Sequence, residues 1–215
     1  MNDIKPIETI YNGYRFRSRL EARWAVFFNA GKIRYEYEPE GYEIKGNTFY
    51  LPDFYLPQFD LHVEVKRDTK DGIQEIKDKC VNAISWGGPI KQILILSEVP
   101  EGRSVDGGIW HFPVLYWNAD AVTWGWWYFH DLYTDDGGVD GNISRAQYIN
   151  SDWHIGRTKS IKAVSDNILR RKNSVSYPMS IEEQIEVQEE WNKETFKAYK
   201  AARQARFEHG ETPAV

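Results

Sequence analysis

Hydrophobic and polar positions along this chain change period several times, and each period predicts a different element. In residues 18–30, SRLEARWAVFFNA, the apolar residues Leu20, Trp24, Phe27 and Phe28 recur at helical spacing. Ser18 before them and Gly31 after them supply an N-cap and a stop, so the spacing predicts one helix. IRYEYEP at 33–39 shifts to a period of two through Ile33, Tyr35 and Tyr37, which predicts a strand. EGYEIKGNTFYLPDFYL follows as two more strands around a turn at Lys45, Gly46 and Asn47. LHVEVKR at 61–67 is the clearest short strand. Helical spacing returns from Thr69 to Ala83 through Ile73, Ile76, Cys80 and Ala83. KQILILSE at 91–98 is an unbroken apolar run, as for a strand covered on both faces.

The order helix, three strands, helix, strand predicts a mixed α/β core over residues 1–105. The pattern then changes. Five of the nine tryptophans fall between Trp110 and Trp127, which marks 106–155 as an aromatic-rich extension of strands and loops. Residues 156–215 read as a helical C-terminal region. Its first part, 156–174, holds six Lys/Arg against the single acid Asp166, and Ile161, Val164 and Ile168 recur at helical spacing. A long helix is then predicted from Ser180 to His209, with Ser180 and Glu183 as a capping box and Gly210 as the stop. Its apolar side, Ile181, Ile185, Trp191 and Tyr199, must pack on its own core or on a second subunit.

Composition narrows the class. Of 215 residues, 41% are hydrophobic and 15% aromatic, enough to bury a core and too many for a disordered chain. The net charge of −5 argues against a surface coated throughout in phosphate-binding groups, although local basic runs remain. The lone cysteine, Cys80, can form neither an internal disulfide nor a zinc site alone, which fits a reducing compartment. No apolar run approaches the roughly 20 residues that span a bilayer, and MNDIKPIETI lacks a signal-peptide pattern. The expectation is a cytoplasmic protein with no membrane partner.

The chemistry-bearing stretch is FYLPDFYLPQFDLHVEVKR, residues 49–67. Residues two apart on a strand share a face, so Glu64 and Lys66 point one way and Val63 and Val65 the other. A charged pair there is also what the wet face of an antiparallel sheet looks like. Asp53, however, lies between Pro52 and Phe54 in apolar sequence, and if the two segments are neighbours it converges on Glu64. Two carboxylates brought together repel unless a cation sits between them. Mg²⁺ fits, since it is usually held by one or two carboxylates plus waters and substrate phosphates. A lysine beside it can orient or deprotonate a water, or stabilise charge on a phosphate.

Pro52-Asp53, ten intervening residues and Glu64-Val65-Lys66 resemble the signature of the PD-(D/E)XK nuclease superfamily. The element order is similar to that superfamily's core. YRFRSRLEARWAVFF, YEYEPEGYEI and YLPDFYLP resemble a branch associated with phages and mobile elements, and the resemblance spans residues 11–98. It implies a restriction-endonuclease-like αβββαβ core with a mixed central sheet. It also implies a Mg²⁺-dependent endonuclease acting on DNA, with Mn²⁺ able to substitute, in the host cytoplasm if phage-encoded. Carried over by position, Asp53, Glu64 and the backbone carbonyl of Val65 are expected to hold the metal, and Lys66 is the expected catalytic lysine. Glu21 matches an extra acid that holds a metal-bound water or a second ion. Relatives often place glycine after the lysine, where this chain has Arg67.

Other candidates carry two readings each. Glu21 lies three residues after Ser18, so the pair is also a capping box. Arg15, Arg17 and Lys70 are candidate phosphate contacts or solvated charges. The basic stretch 156–174 is a DNA clamp or a solvated helix. The tryptophans stack unpaired bases or fill a small core. DDGGVDGN fails as a calcium loop, because counting from Asp136 puts Gly138 and Gln147 where ligand oxygens belong. Of the five histidines only His62 lies beside the predicted site. The expected substrate is DNA, branched or single-stranded forms included. A homodimer is one expected assembly. The rival expectation is a silent nuclease fold that binds nucleic acid or inhibits a partner protein.

Overall fold

Two short signals organise the start of the chain. Asn12 and Gly13 both take positive φ, 48° and 81°, and close a hairpin between β1 (Thr9–Tyr11) and β2 (Tyr14–Phe16) with Tyr11 opposite Tyr14. That is the two-residue turn an Asn-Gly pair favours, because both positions need the left-handed region. Ser18 then caps α1 (Arg19–Ala30), its hydroxyl accepting from the Glu21 N–H. Gly31 ends the helix as expected, but with φ −82°; the left-handed residue is Lys32, φ 54°, where Ile33 N–H reaches back to the Phe28 carbonyl at 2.8 Å.

A computed structural model of the chain describes residues 6–44, 48–67, 70–101, 110, 112–118, 121–127, 129–133, 139–145 and 192–207. Among these, the protein is mixed α/β with three helices. After α1 come β3 (Glu36–Tyr37), β4 (Tyr42–Ile44), β5 (Thr48–Tyr50), β6 (Phe54–Leu56), β7 (Leu61–Val65), α2 (Lys70–Ser85) and β8 (Gln92–Leu96). Next are β9 (Phe112–Asn118), β10 (Ala121–Trp127), β11 (His130–Tyr133), β12 (Val139–Arg145) and α3 (Lys193–Gln204). The central sheet has six strands in the order β10-β9-β8-β7-β6-β3. Only β7 and β8 run parallel, joined by α2 as a crossover; the other neighbours are antiparallel.

The stretch expected to form one strand from Thr48 onward is divided. Thr48–Tyr50 pairs with β4 in a separate hairpin, whereas Phe54–Leu56 joins the central sheet. The break falls at Pro52, which cannot donate to a ladder and biases Leu51 toward extended chain. The strand expected over 33–39 is reduced to β3 at the sheet edge.

Side chains alternate between two cores. Leu61, Val63 and Val65 of β7, Phe54 and Leu56 of β6, and Leu94 and Leu96 of β8 join α1 and α3 in one cluster. Trp24 packs edge-on against Phe112, Phe27 stacks on Tyr199 at 4.6 Å, and Trp24 donates its indole N–H to the Ser97 carbonyl at 2.7 Å. On the opposite face, Ile93 and Ile95 join Ile76, Cys80, Ala83 and Ile84 of α2 and Ile44 and Tyr50 of the β4–β5 hairpin. The sheet runs on past residue 105, since β9 pairs with β8 and β10 with β9. Of the tryptophans in this stretch, Trp127 is buried and Trp117 is 45% exposed. The expected C-terminal helix is described only as α3; Ser180, Glu183 and the basic stretch 156–174 lie outside the described residues. No helix among the described residues is long and apolar enough to cross a membrane.

Candidate active site

The register of β6 against β7 brings the two acids together. Phe54 pairs with Val63, so one step further along the antiparallel strands Asp53 stands across from Glu64. Asp53 is held there by its own strand partner: its Oδ2 accepts the Val65 N–H at 2.7 Å, and its backbone carbonyl accepts Glu38 N–H at 2.9 Å. Glu64 is no wet-face charge. All five residues of β7 are buried, with Glu64 only 3% and His62 4% exposed.

Such burial has electrostatic consequences. Desolvation raises the Asp53 carboxyl well above the ordinary carboxylate range, and the Glu64 charge pushes it further; the Val65 N–H bond pulls down, Glu21 pushes up, and Lys66 pulls down. Burial likewise raises Glu64, opposed by Lys79, the Tyr50 hydroxyl and Lys66, with Glu21 adding to the rise. The two acids form one coupled group that is short of positive charge. Of the four expected residues, Glu21 and Lys66 thus each act electrostatically on both Asp53 and Glu64. The Lys66 side chain is exposed at the end of β7, while its N–H joins the sheet through the Leu96 carbonyl at 2.8 Å.

Glu21 is committed to the start of α1. Its Oε1 accepts from the Ser18 hydroxyl at 2.6 Å, and its Oε2 accepts from the Arg17 N–H at 3.1 Å and the Tyr37 hydroxyl at 2.7 Å. The capping role is the one these bonds express, in a variant where the reach-back goes to the residue before the N-cap. Its negative charge still acts on Asp53 and Glu64.

Three residues were not anticipated. The Tyr50 hydroxyl, on the β4–β5 hairpin, donates to Glu64 Oε2 at 2.8 Å. Lys79 of α2 places its Nζ 3.8 Å from Glu64 Oε1 and 4.9 Å from the centre of the Tyr50 ring. Tyr37 donates to Glu21. Tyr37 stands in the period-two pattern of 33–39 and Lys79 beside the inward-facing Cys80, but neither pattern points to the acid it meets. Burial raises the Tyr50 hydroxyl and the Cys80 thiol, so both keep their protons. Since the Tyr50 proton goes to Glu64, the thiol 3.8 Å away is left as the donor to the phenolic oxygen.

The expected phosphate contacts are partly engaged. Arg15 is exposed and pairs with Glu8 at 3.3 Å; Arg17 pairs with Glu38 at 2.6 Å. Lys70 opens α2, and its side chain lies outside the described residues. His62 packs against Tyr42 and Tyr55, with Nε2 3.2 Å from the Tyr42 hydroxyl.

Among the described residues no three His, Cys, Asp or Glu side chains group closely enough to hold a metal ion by themselves. Asp53 and Glu64 are a pair of hard carboxylates, and a pair suits a cation that completes its shell with backbone, water and substrate oxygens. Their mutual repulsion is what such a cation relieves. A scan against protein-family models and a search of curated proteins return no match to this chain.

Proposed function

We propose that this protein is a divalent-cation-dependent endonuclease that hydrolyses phosphodiester bonds of DNA. The observation that carries the reading is the Asp53–Glu64 pair, Glu64 buried and Asp53 half-buried across from it, with the pKa of each acid raised by desolvation and Lys66 at the exposed edge. A pure binding surface for nucleic acid has no use for paired acids beside a phosphate. The order α1, β3, β6, β7, α2, β8, with the β4–β5 hairpin inserted, supports a restriction-endonuclease-like core.

In this reading Asp53, Glu64 and the Val65 carbonyl hold Mg²⁺ or Mn²⁺. When bound, the ion lowers the pKa of a water and neutralises charge growing on the phosphate. Lys66 donates to the non-bridging phosphate oxygen or orients the attacking water. The water oxygen forms the new bond to phosphorus as its proton passes to solvent, the bond from phosphorus to the 3′ oxygen breaks, and that oxygen takes up a proton from solvent. The products are a 3′-hydroxyl and a 5′-phosphate. Glu21 acts through its charge, since both its oxygens are engaged at the helix start. Arg15 and Arg17 contact the DNA backbone, Arg17 after release from Glu38. The branch resemblance supports a cytoplasmic location, in the host cytoplasm if the protein is phage-encoded.

The test is a substrate panel of duplex, branched and single-stranded DNA and of RNA, incubated with Mg²⁺, Mn²⁺ or EDTA. Cutting that needs the metal and falls about a thousandfold in Asp53→Ala is expected, from the several kcal/mol a metal contributes at 1.36 kcal/mol per tenfold. Binding without metal-dependent cutting on every substrate would overturn the reading in favour of a silent binding protein.

A further inference from the structure

The two oxygens of Glu64 are treated differently by the fold. Oε2 faces the interior and accepts the Tyr50 hydroxyl at 2.8 Å. Oε1 faces Lys79, a residue on the rim of α2 whose side chain is 43% exposed, at 3.8 Å. That gap is longer than a hydrogen bond, so the ammonium balances charge without saturating the oxygen. Tyr50 is fully buried, wedged among Ile44, Ile76 and Cys80, with the Cys80 thiol behind its hydroxyl. Its ring therefore cannot swing away, whereas the Lys79 stem can.

The β4–β5 hairpin has no strand in the central sheet, and Tyr50 is its deepest side chain. The other two residues of its strand, Thr48 and Phe49, are exposed. A hairpin that buries one aromatic residue and aims its hydroxyl at one acid is placed to set that acid's rotamer. Losing a hydrogen bond of this kind to a ligating carboxylate typically costs about 10- to 100-fold in metal affinity.

We infer that Tyr50 is a positioning residue that clamps Oε2 of Glu64, so that Oε1 alone is presented to the divalent cation, and that Lys79 is a resident counter-ion which the cation displaces. The inference rests on the endonuclease reading and names the control of its metal site. It makes two predictions of opposite sign. Removing the clamp weakens metal binding; removing the counter-ion strengthens it.

The experiment is a titration of the full-length, DNA-free protein with Mn²⁺, followed by calorimetry, alongside thermal melts in EDTA. Tyr50→Phe keeps the ring and its packing and removes only the hydroxyl; Mn²⁺ affinity is expected to fall about 10- to 100-fold. Lys79→Met, on the rim, is expected to bind Mn²⁺ about two- to fivefold more tightly, the equivalent of a half-exposed ion pair. A hydroxyl that merely satisfies a buried acid would lower the melting temperature and leave Mn²⁺ affinity alone. Unchanged affinity in Tyr50→Phe, with wild-type protein that binds Mn²⁺ and cuts DNA, overturns the clamp and spares the endonuclease. Weaker binding by Lys79→Met overturns the counter-ion. Wild-type protein that neither binds Mn²⁺ nor cuts any substrate overturns the endonuclease reading, and this inference with it.

Discussion

The two faces of β7 are equally buried and chemically opposite. Toward α1 and α3 it turns Leu61, Val63 and Val65 into a cluster of aliphatic and aromatic side chains. Toward α2 it turns His62 and Glu64, each under 5% exposed; Glu64 meets the Tyr50 hydroxyl and the Lys79 ammonium, and His62 lies against Tyr42 and Tyr55. The first face lowers the free energy of the fold through apolar burial. The second works against it, because a buried acid beside another acid is favourable only when protonated or paired with a cation. The difference teaches that burial marks the core while uncompensated charge within it marks the site.

The widest separation between the faces comes from paired substitutions. Phe28→Ala, in the fully buried aromatic cluster, is expected to cost about 3–5 kcal/mol in urea unfolding, the range for truncating a core phenylalanine. Cleavage per folded molecule should survive it. Glu64→Gln is expected to do the reverse, abolishing metal-dependent cutting while leaving stability level or raised. If Glu64→Gln unfolds the protein as Phe28→Ala does, Glu64 is a structural residue and the contrast collapses.

Asp53→Asn sharpens the same contrast through pH. The folded-state pKa of Asp53 is raised, by burial first and by Glu64 second. Its contribution to stability is therefore fully present below the unfolded value of about 3.9 and is lost as pH rises through the folded value. Asparagine stays neutral and can still accept the Val65 N–H. The melting temperature of metal-free Asp53→Asn should exceed wild type at neutral pH, and the two should converge in acid. Saturating Mg²⁺ should stabilise wild type and not the variant. Equal melting curves at neutral pH without metal would mean that the pair is not short of positive charge.

Much of this was legible in local patterns. The cap at Ser18, the helical stripe of Trp24, Phe27 and Phe28, and the apolar run of β8 each have a short-range cause, and each element stands where its pattern puts it. The convergence of Asp53 on Glu64 was legible only as a condition, since it depends on β6 pairing with β7 in one register. The periodicity also left Glu64 and Lys66 open as a wet face. Burial on that side comes from α2 and the β4–β5 hairpin, and a strand's own alternation says nothing of what will cover it. Tyr50 and Lys79 were illegible for the same reason: they meet Glu64 from 14 and 15 residues away through two separate elements. The Asn12-Gly13 hairpin was legible in principle, since the dipeptide alone specifies its turn.

Glu21 belongs to neither face of β7: its bonds are to Arg17, Ser18 and Tyr37 around the start of α1, while its charge acts on Asp53 and Glu64. Ser18→Ala removes the cap and should cost about 1 kcal/mol. Glu21→Gln can keep an acceptor toward Arg17 and Tyr37 and turn its amide toward Ser18. It should stay folded and retain cleavage within about tenfold of wild type, a change of 1.4 kcal/mol or less. A loss as deep as that of Glu64→Gln would make Glu21 a metal ligand.

The smallest effect is expected at His62, which shares the charged face with Glu64 but has a different electrostatic balance. Burial lowers its pKa below the ordinary histidine value, while Asp60 and Glu40 oppose the shift. A base depressed in the folded state favours the neutral form there. Its contribution is present above the unfolded value of about 6.5 and is lost as pH falls through the folded one. His62→Phe keeps an aromatic ring between Tyr42 and Tyr55 and has nothing to protonate. Wild type should therefore lose stability from about pH 7 to pH 5 slightly faster than the variant. A set of urea unfolding curves across that interval measures the difference in slope. Because two acids partly cancel the burial at His62, that slope difference should be smaller than the one Asp53→Asn produces on the opposite limb. A larger one would shift the main electrostatic strain of this face from the paired acids to the histidine.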